Sequence, residues 1–251
     1  MFTKAFTGGA LIIFSFSSVA NPQALSDSTH VQENQKKSNI RITARLHSMG
    51  FFGYGGQIAN ENPVADINFT YERKAWNFLL FKATDLYDGH SHYNFTLALL
   101  YKNVHVGKRL VFTPNFGFAI GQQYSIADKG SDAMVLLLTS YKLDKHFTID
   151  HTARFGNVIL ENQYFDWLNR LRLTYTNRHI DIMLMGWHNN KVFDDSKYLT
   201  LGANIFYSRI AVSKHVRLST GITGLIVAQT SDEENCPRKN GMLFTIAAAL
   251  D

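Results

Sequence analysis

The stretch from Trp167 to His188 constrains the fold more than any other part of the chain, because its apolar and polar residues alternate one by one. Side chains on a β-strand alternate between two faces, whereas a helix would place apolar residues three or four positions apart. The polar step Asn177-Arg178 divides the stretch into two arms of about ten residues, the length of a tilted membrane-crossing strand, so the pattern predicts a β-hairpin. The apolar faces carry Leu171, Leu173, Tyr175, Ile180, Ile182 and Leu184, and the opposite faces carry Arg170, Arg172, Thr174, Thr176, His179, Asp181 and Met183.

The same alternation runs through the chain from Asn39 onwards and never gives way to a helical period. It predicts about twelve strands in all, an even number of the kind found in single-chain outer-membrane barrels. The predicted fold is therefore all-β, a closed antiparallel up-and-down transmembrane β-barrel of about twelve strands. Outside the hairpin, the predicted strands are Asn39–Ser48, Val64–Glu72, Ala75–Thr84, Tyr93–Lys102, Lys108–Gln122, Ala133–Leu143, His146–Gly156, Tyr198–Ser208, Val216–Ala228 and Met242–Leu250.

The connections between these strands alternate between long and short. Every long loop therefore lies at one end of the barrel and every short turn at the other, as in outer-membrane barrels with long extracellular loops and short periplasmic turns. The long connections are 49–63, 85–92, 123–132, 157–166, 189–197 and 229–240, and the short ones are 73–74, 103–107, 144–145, 177–178 and 209–215.

Charge follows the same axis, because the long loops are rich in acidic residues and the short turns in basic ones. Ordinary solvation of loops explains this distribution. A functional interpretation explains it equally well: the acidic loops bind divalent cations among lipopolysaccharide, and the basic turns contact anionic phospholipid headgroups.

Alternation assigns the two faces of one further strand and leaves the inner faces of two others undefined. On Tyr93–Lys102, we expect Leu97 and Leu99 to face outwards, because Thr96 and Ala98 lie on the other face. The strands Ala75–Thr84 and Ala133–Leu143 are apolar on both faces. Either a contact between protomers or a plug inside the barrel would account for them.

Aromatic residues gather at the strand ends and predict the girdles that mark both membrane interfaces, although a generic aromatic core would supply some of them. These residues are Tyr71, Trp76, Tyr93, Tyr101, Tyr141, Trp167, Trp187, Tyr198 and Tyr207.

The N-terminus has the pattern of an export signal. Lys4 supplies a positive charge, a short apolar core follows, and Ser18-Val19-Ala20 is a small-residue cleavage site. We expect residues 1–20 to be removed by cleavage near Ala20, residues 21–38 to form a flexible polar lead-in, and residues 39–251 to form the barrel. An ordinary first helix is the alternative for the first segment.

Composition excludes several classes of protein. The single cysteine, Cys236, rules out an internal disulfide framework. The net charge of +5 and the pI near 9.2 would suit a nucleic acid, but the basic residues form no tract and no nucleic-acid-binding motif is present. We therefore expect no nucleic-acid partner. The sequence does not predict an oligomeric state.

With this pattern, the chain resembles the small outer-membrane β-barrel proteins of Gram-negative bacteria from about Asn39 to Asp251. The resemblance rests on pattern rather than on a diagnostic motif. It implies insertion in the bacterial outer membrane, with outer-membrane lipid and lipopolysaccharide as partners. A soluble periplasmic barrel that binds a lipid is the alternative.

The predicted inner face carries both arginines and carboxylates, and two functions fit it. In a non-conducting structural or surface-interaction barrel, these residues pair with one another and fill the interior. In a channel or passive transporter, the excess of arginine favours small anionic solutes. The predicted lumen-lining residues are Arg41, Arg45, Asp66, Glu72, Arg109, Asp150, Arg154, Arg170, Arg172, Asp181 and Arg217.

Catalysis is a third and weaker hypothesis, an outer-membrane lipid hydrolase. Ser91 lies between His90 and His92, and a serine nucleophile needs an adjacent base. The Asn-His-x-Ser-Asn pattern that resembles outer-membrane phospholipases is absent, so we expect no enzyme. His90, His92 and His188 with Asp194 or Asp195 would be a weak metal site, since solvated histidines are the commoner case. Gly53-Tyr54-Gly55-Gly56 lacks the residues of a phosphate-binding loop and suggests a mobile loop. We therefore expect no cofactor.

Overall fold

The computed structural model describes residues 39–52, 56–73, 76–87, 94–121, 132–156, 167–192, 196–233 and 238–250. The predicted signal and lead-in, together with His90, Ser91, His92, Asp194, Asp195 and Cys236, lie outside these residues. Among the described residues, no helix has the length and apolar character needed to span a membrane.

The described residues form fifteen β-strands, which turns and bends connect. They are β1 (Asn39–His47), β2 (Gly50–Phe52), β3 (Gln57–Asn60), β4 (Val64–Glu72), β5 (Asn77–Asp85), β6 (Asn94–Tyr101), β7 (Val104–Val106), β8 (Leu110–Gly121), β9 (Asp132–Lys142), β10 (Phe147–Phe155), β11 (Trp167–Thr176), β12 (Ile180–Val192), β13 (Ser196–Ala211), β14 (Val216–Thr230) and β15 (Gly241–Leu250).

Twelve of these strands form a closed antiparallel barrel. Each pairs with its neighbours in chain order, in the sequence β1, β4, β5, β6, β8 and then β9 to β15. The ring closes because β15 pairs with β1, from Ile42 opposite Leu250 to His47 opposite Thr245. The predicted all-β, twelve-stranded barrel is confirmed.

The two faces of the wall differ in the way that the alternation predicts. Outward-facing side chains are large and apolar, and Ile226 and Ile246 each expose 60% of their surface. The side chains between them point to the interior and include buried Thr223 and Thr245. A water-soluble protein buries its apolar side chains, so this reversed arrangement fits a wall in contact with lipid.

Long and short connections lie at opposite ends of the barrel, which we call the loop end and the turn end. The connection between β1 and β4 contains the hairpin β2–β3, which forms its own two-stranded sheet. The predicted plain turn at 103–107 is wrong: Val104–Val106 forms β7 and pairs with β8, so the turn falls at Gly107, which has φ of +66°. This hairpin therefore extends the wall at the turn end.

The expected orientation of the strand around Leu97 is also wrong. Leu97 and Leu99 on β6 are buried and face the interior, while Leu100 is exposed on the outside. Strands β5 and β9 likewise turn apolar residues inward. The buried apolar residues on this part of the wall are Phe81, Ala83, Leu97, Leu99, Met134 and Leu136.

One short turn is closed by a carboxylate. Asp144 lies between β9 and β10 and accepts hydrogen bonds from the backbone N–H groups of His146 and Phe147, at 2.6 and 2.8 Å. These bonds favour the charged form, so they lower the pKa of Asp144 below its ordinary value of 3.8. The carboxylate's contribution to stability is therefore fully present above 3.8 and is lost as the pH falls through the lowered value.

We expect this turn to titrate at a lower pH than an ordinary aspartate. In micelle NMR, the amide resonances of His146 and Phe147 should shift with a midpoint below pH 3.8. Asp144→Asn should abolish this titration, because an amide side chain carries no titratable proton in this range. A midpoint at or above 3.8 would contradict the hydrogen bonding seen at this turn.

Candidate functional site

The interior of the barrel carries two charged clusters on opposite walls. One is centred on the paired strands β1 and β4 and the other on the paired strands β10 and β11. The ring order places four strands between these two pairs on each side: β5, β6, β8 and β9 on one, and β12 to β15 on the other. Strand pairing thus places residues that are far apart in sequence on opposite walls of the barrel.

The Arg172 cluster lies on β9, β10 and β11 and consists of Ser140, Asp150, Thr152, Arg170 and Arg172. The Asp150 carboxylate accepts hydrogen bonds from Nε and Nη2 of Arg172, at 2.9 and 2.7 Å, and from the Ser140 hydroxyl. Arg170 donates to the Thr152 hydroxyl at 3.2 Å. Asp150 and Arg172 face each other in register on neighbouring strands, so the pairing of β10 with β11 forms the ion pair.

The Arg45 cluster lies on β1, β4 and β15 and consists of Arg45, His47, Asp66 and Thr245. Asp66 accepts a hydrogen bond from Nε of Arg45 at 2.7 Å and one from Nε2 of His47 at 2.8 Å. A carboxylate can only accept, so Nε2 of His47 carries the hydrogen in this contact. The other ring nitrogen, Nδ1, lies 2.8 Å from the Thr245 hydroxyl. This cluster therefore spans the seam where the first and last strands of the ring meet.

An inner apolar cluster covers the wall between these charged groups on β12 to β15. It consists of Met183, Met185, Trp187, Phe206, Leu225 and Leu243, and Met49 and Ile58 from the β1–β4 connection pack against it. Trp187 is fully buried and Tyr198 nearly so, both on the inner face. The prediction that these two residues belong to an interfacial girdle is therefore wrong.

The predicted lumen-lining residues differ in their surroundings. Arg45, Asp66, Asp150, Arg154, Arg170, Arg172 and Asp181 are buried on the inner face, whereas Arg41, Glu72 and Arg217 are half-buried near the turn end. Asp181 accepts hydrogen bonds from Ser208 and from Arg209, the latter at 3.0 Å. Arg109 is exposed at the tip of the β7–β8 hairpin and joins neither charged cluster.

Several residues of the interior were not foreseen from the sequence. His47 and Thr245 lie on the predicted inner faces of their strands, so alternation placed them correctly without marking them as partners. Arg209 has φ of 62° and lies where the register of β13 shifts, which turns its guanidinium towards Asp181. A local backbone irregularity of this kind leaves no signal in the pattern of alternation.

Solvent reaches the two halves of the interior unequally. Near the loop end, the inner side chains of the described residues are buried. Examples are Val64, Asp85, Tyr198 and Val227. Near the turn end their burial varies: Thr70, Ser140, Thr174 and Ser219 are half-buried, whereas Asn77, Thr113, Asp181 and Ser208 are buried. The side chains thus fill the loop-end half more completely than the turn-end half.

Of the residues suggested as a metal site, the structure describes only His188. His188 lies on β12 with its side chain exposed on the outer face. Within the described ranges, no group of three or more histidine, cysteine, aspartate or glutamate side chains is arranged to hold a metal ion.

No protein-family model matches the sequence, and no curated protein matches it. The fold, in contrast, matches solved porins. The KdgM porin superimposes with a TM-score of 0.57 at 8% identity, covering 84% of this chain and 98% of the porin. The KdgM porin in complex with disordered oligogalacturonate gives 0.55 at 7% identity, covering 86% and 99%. The NanC porin gives 0.53 at 8% identity, covering 85% and 100%. These matches confirm a porin-like β-barrel fold and, at the level of fold, the resemblance to outer-membrane barrels.

Proposed function

We propose that this chain is an outer-membrane channel for small solutes that favours anions. The observation that carries the proposal is the presence of guanidinium groups on two opposite inner walls, at Arg45 and at Arg172. Charged groups that face each other across a lumen act together on any ion that passes between them. Export with cleavage near Ala20, and contact with outer-membrane lipid and lipopolysaccharide, form part of the same proposal.

The charge balance of the inner face supports a preference for anions. Asp66, Asp150 and Asp181 each pair with an arginine. The inner face also carries the cations Arg41, Lys142, Arg154, Arg170 and Arg217 against two further carboxylates, Glu72 and Asp85, so cations outnumber anions among the described inner residues. The KdgM porin has been solved with oligogalacturonate, an oligomer of acidic sugars. A solute of that chemical class, with several carboxylates along its length, would suit an inner face of this charge.

A non-conducting structural barrel is the second candidate. It is favoured by the burial of the inner side chains in the loop-end half, where the Arg45–Asp66 ion pair and the inner apolar cluster fill space. Under this hypothesis the arginines stabilise the wall, and the exposed loops carry any interaction with the surroundings. Both candidates are non-catalytic, in keeping with the porin-like fold.

Single-channel recording in planar bilayers, in several salts, distinguishes the two candidates. Discrete current steps with a reversal potential that indicates anion preference would support the channel. Protein that is inserted, as shown by protease protection, yet passes no current even in variants that displace the β2–β3 hairpin would overturn it in favour of the structural barrel.

We expect Arg172→Ala to reduce the preference for anions. The substitution leaves the Asp150 carboxylate without this guanidinium, so the wall changes by one negative charge. A unit charge about 5 Å from a passing ion changes the ion's energy by about 0.8 kcal/mol in water, or about fourfold in local concentration. The energies of the anion and the cation shift in opposite directions, so the ratio of anion to cation permeability measured in a salt gradient should fall by up to about sixteenfold. Lys108→Ala, at the exposed tip of the β7–β8 hairpin, is the control and should leave the ratio unchanged. An unchanged ratio in Arg172→Ala would show that ions do not pass this wall.

A further inference from the structure

The β2–β3 hairpin lies inside the loop end of the barrel rather than above it. It belongs to the connection between β1 and β4, yet its contacts are with β12 to β15. Ile58 packs against the inner apolar cluster, and a Cβ built on Gly241 at the start of β15 would lie 2.3 Å from Cδ1 of Ile58. The hairpin therefore occupies space within the ring of strands.

Trp187 on β12 also packs against the hairpin. A Cβ built on Gly56 would lie 2.4 to 2.7 Å from atoms of the indole ring, and one built on Gly202 would lie 2.8 Å from it. Two glycines from separate elements thus leave room for the same ring. The indole is fully buried, although aromatic residues near strand ends usually lie at the membrane interface.

The attachment of the hairpin differs from that of every wall strand. In the described residues, β2 and β3 pair only with each other and form no ladder with the barrel. Among the described residues, the contacts of this connection with the wall include apolar packing, a hydrogen bond from Nδ2 of Asn62 to Asp85 at 3.0 Å, and the ion pair of Glu61 with Lys239 at 3.0 Å, whose side chains are 74% and 48% exposed. Exposed ion pairs contribute little to stability. The hairpin can therefore leave its place without breaking a backbone hydrogen bond of the barrel ladder.

We propose that the β2–β3 hairpin closes the loop-end half of the lumen, and that Trp187 is the positioning residue that holds it there. The conformation described here is then the closed channel, and release of the hairpin opens it. This inference rests on the proposed channel function. It explains why the inner side chains are buried at the loop end, while several inner side chains of the turn-end half, such as Thr70 and Ser219, are half-buried.

A reversible disulfide tests the proposal within a single protein. In a Cys236→Ser background, Ile58→Cys and Gly241→Cys place two thiols at neighbouring positions, since a Cβ on Gly241 would lie 3.7 Å from Cγ1 of Ile58, and loss of free thiol shows that the disulfide has formed. The oxidised protein holds the hairpin in place. Reduction frees it, and because the substitution has already removed the Ile58 side chain from the inner apolar cluster, less packing then holds the hairpin. We expect single-channel current to rise on reduction and to fall again on reoxidation.

A pair of glycine substitutions provides an independent test with a matched control. Gly56 and Gly107 both have positive φ, +71° and +66°, so alanine adds similar backbone strain at each. Only at Gly56 does the added methyl group meet Trp187, because a Cβ on Gly107 has no neighbour within 4 Å. Gly56→Ala should raise the current, and Gly107→Ala should not.

Fluorescence follows the hairpin without relying on current. The chain has three tryptophans, so Trp76→Phe and Trp167→Phe leave Trp187 as the sole reporter. Iodide should quench Trp187 weakly in the oxidised disulfide form and more strongly after reduction or in Gly56→Ala.

The outcomes separate the hairpin from the channel. Equal, non-zero current in the oxidised and reduced proteins would overturn the closing role of the hairpin and leave the channel function standing. Increased quenching with no current in any form would overturn the channel function, and the closing role with it. Unchanged quenching on reduction would show that the hairpin does not leave Trp187.

Discussion

We expect Asp150→Ala to lower the free energy of unfolding by about 3–5 kcal/mol, the range for removing one partner of a buried ion pair. Asp150 and Arg172 are both nearly fully buried, and the carboxylate accepts two hydrogen bonds from the guanidinium. The substitution also removes the acceptor for the Ser140 hydroxyl. The guanidinium would then remain in the interior without the charge that compensates it, which accounts for most of the loss. Urea titration of the protein refolded in detergent micelles measures the effect.

The control for this prediction is an ion pair in solvent. Glu233 pairs with Arg238 at 3.0 Å, with side chains 68% and 53% exposed. Glu233→Ala should change stability by no more than about 0.5 kcal/mol, because exposed pairs are solvated whether or not they meet. Asp150→Asn should fall between the two, since the amide keeps the shape and one acceptor oxygen. If Asp150→Ala unfolds at the same urea concentration as the unsubstituted protein, water must solvate Arg172 in the lumen.

The second large effect is steric and lies on β14. A Cβ on Gly221 would lie 2.6 Å from the ring of Phe206 and 2.7 Å from the carbonyl oxygen of Ile205 on the neighbouring strand. The carbonyl belongs to the barrel ladder and cannot move alone, so the strands must shift. We expect Gly221→Ala to destabilise the barrel by about 1–3 kcal/mol, the usual cost of overpacking. The shift in the urea midpoint reports it.

The same strand supplies the comparison. Gly224 lies three residues further along β14, and a Cβ there meets no heavy atom within 4 Å. Gly224→Ala restricts the unfolded chain without a clash and should stabilise the protein by about 0.4–1 kcal/mol. The two substitutions are chemically identical and should act in opposite directions. Equal effects would mean that the loss at Gly221 does not come from Phe206 and Ile205.

Strand number, antiparallel order and the two ends of the barrel were all predictable from the sequence. A period of two assigns each side chain to a face, and this sufficed where the faces differ in polarity, as with Arg172 and Leu171. Alternating connection lengths then ordered the strands into a meander. Both signals are local, so neither required knowledge of the partner strand.

The errors occur where the two faces do not differ in polarity. On β6, leucines alternate with alanine and threonine, and the larger side chains turned inward because the interior there is filled by packing rather than by water. Trp187 was assigned to an interface by its position near a strand end. It faces inward because Gly56 and Gly202 leave room for its ring, and neither glycine is near it in sequence.

The hairpin inside the barrel could have been recognised in part. Phe51-Phe52 and Gln57-Ile58 flank a glycine-rich step, which is a hairpin signal. The sequence gives no signal for the location of the hairpin inside the barrel. This location depends on the apolar inner face of strands that are more than a hundred residues away. The partners within the charged clusters could not be predicted for the same reason. Alternation assigns a side chain to one face of the sheet, but only the strand register shows which residue lies beside it.

The pairing of β1 with β15 determines when this protein can complete its assembly. These strands stand at opposite ends of the described chain, and His47 and Thr245 bond across the seam between them. Until β15 is synthesised and in place, β1 and β14 each expose a row of unpaired backbone groups, which a lipid environment strongly disfavours. Without its last strand, the barrel is therefore an open sheet with two unpaired edges. Biogenesis must keep the nascent chain away from lipid, or guard both edges, until the final strand arrives.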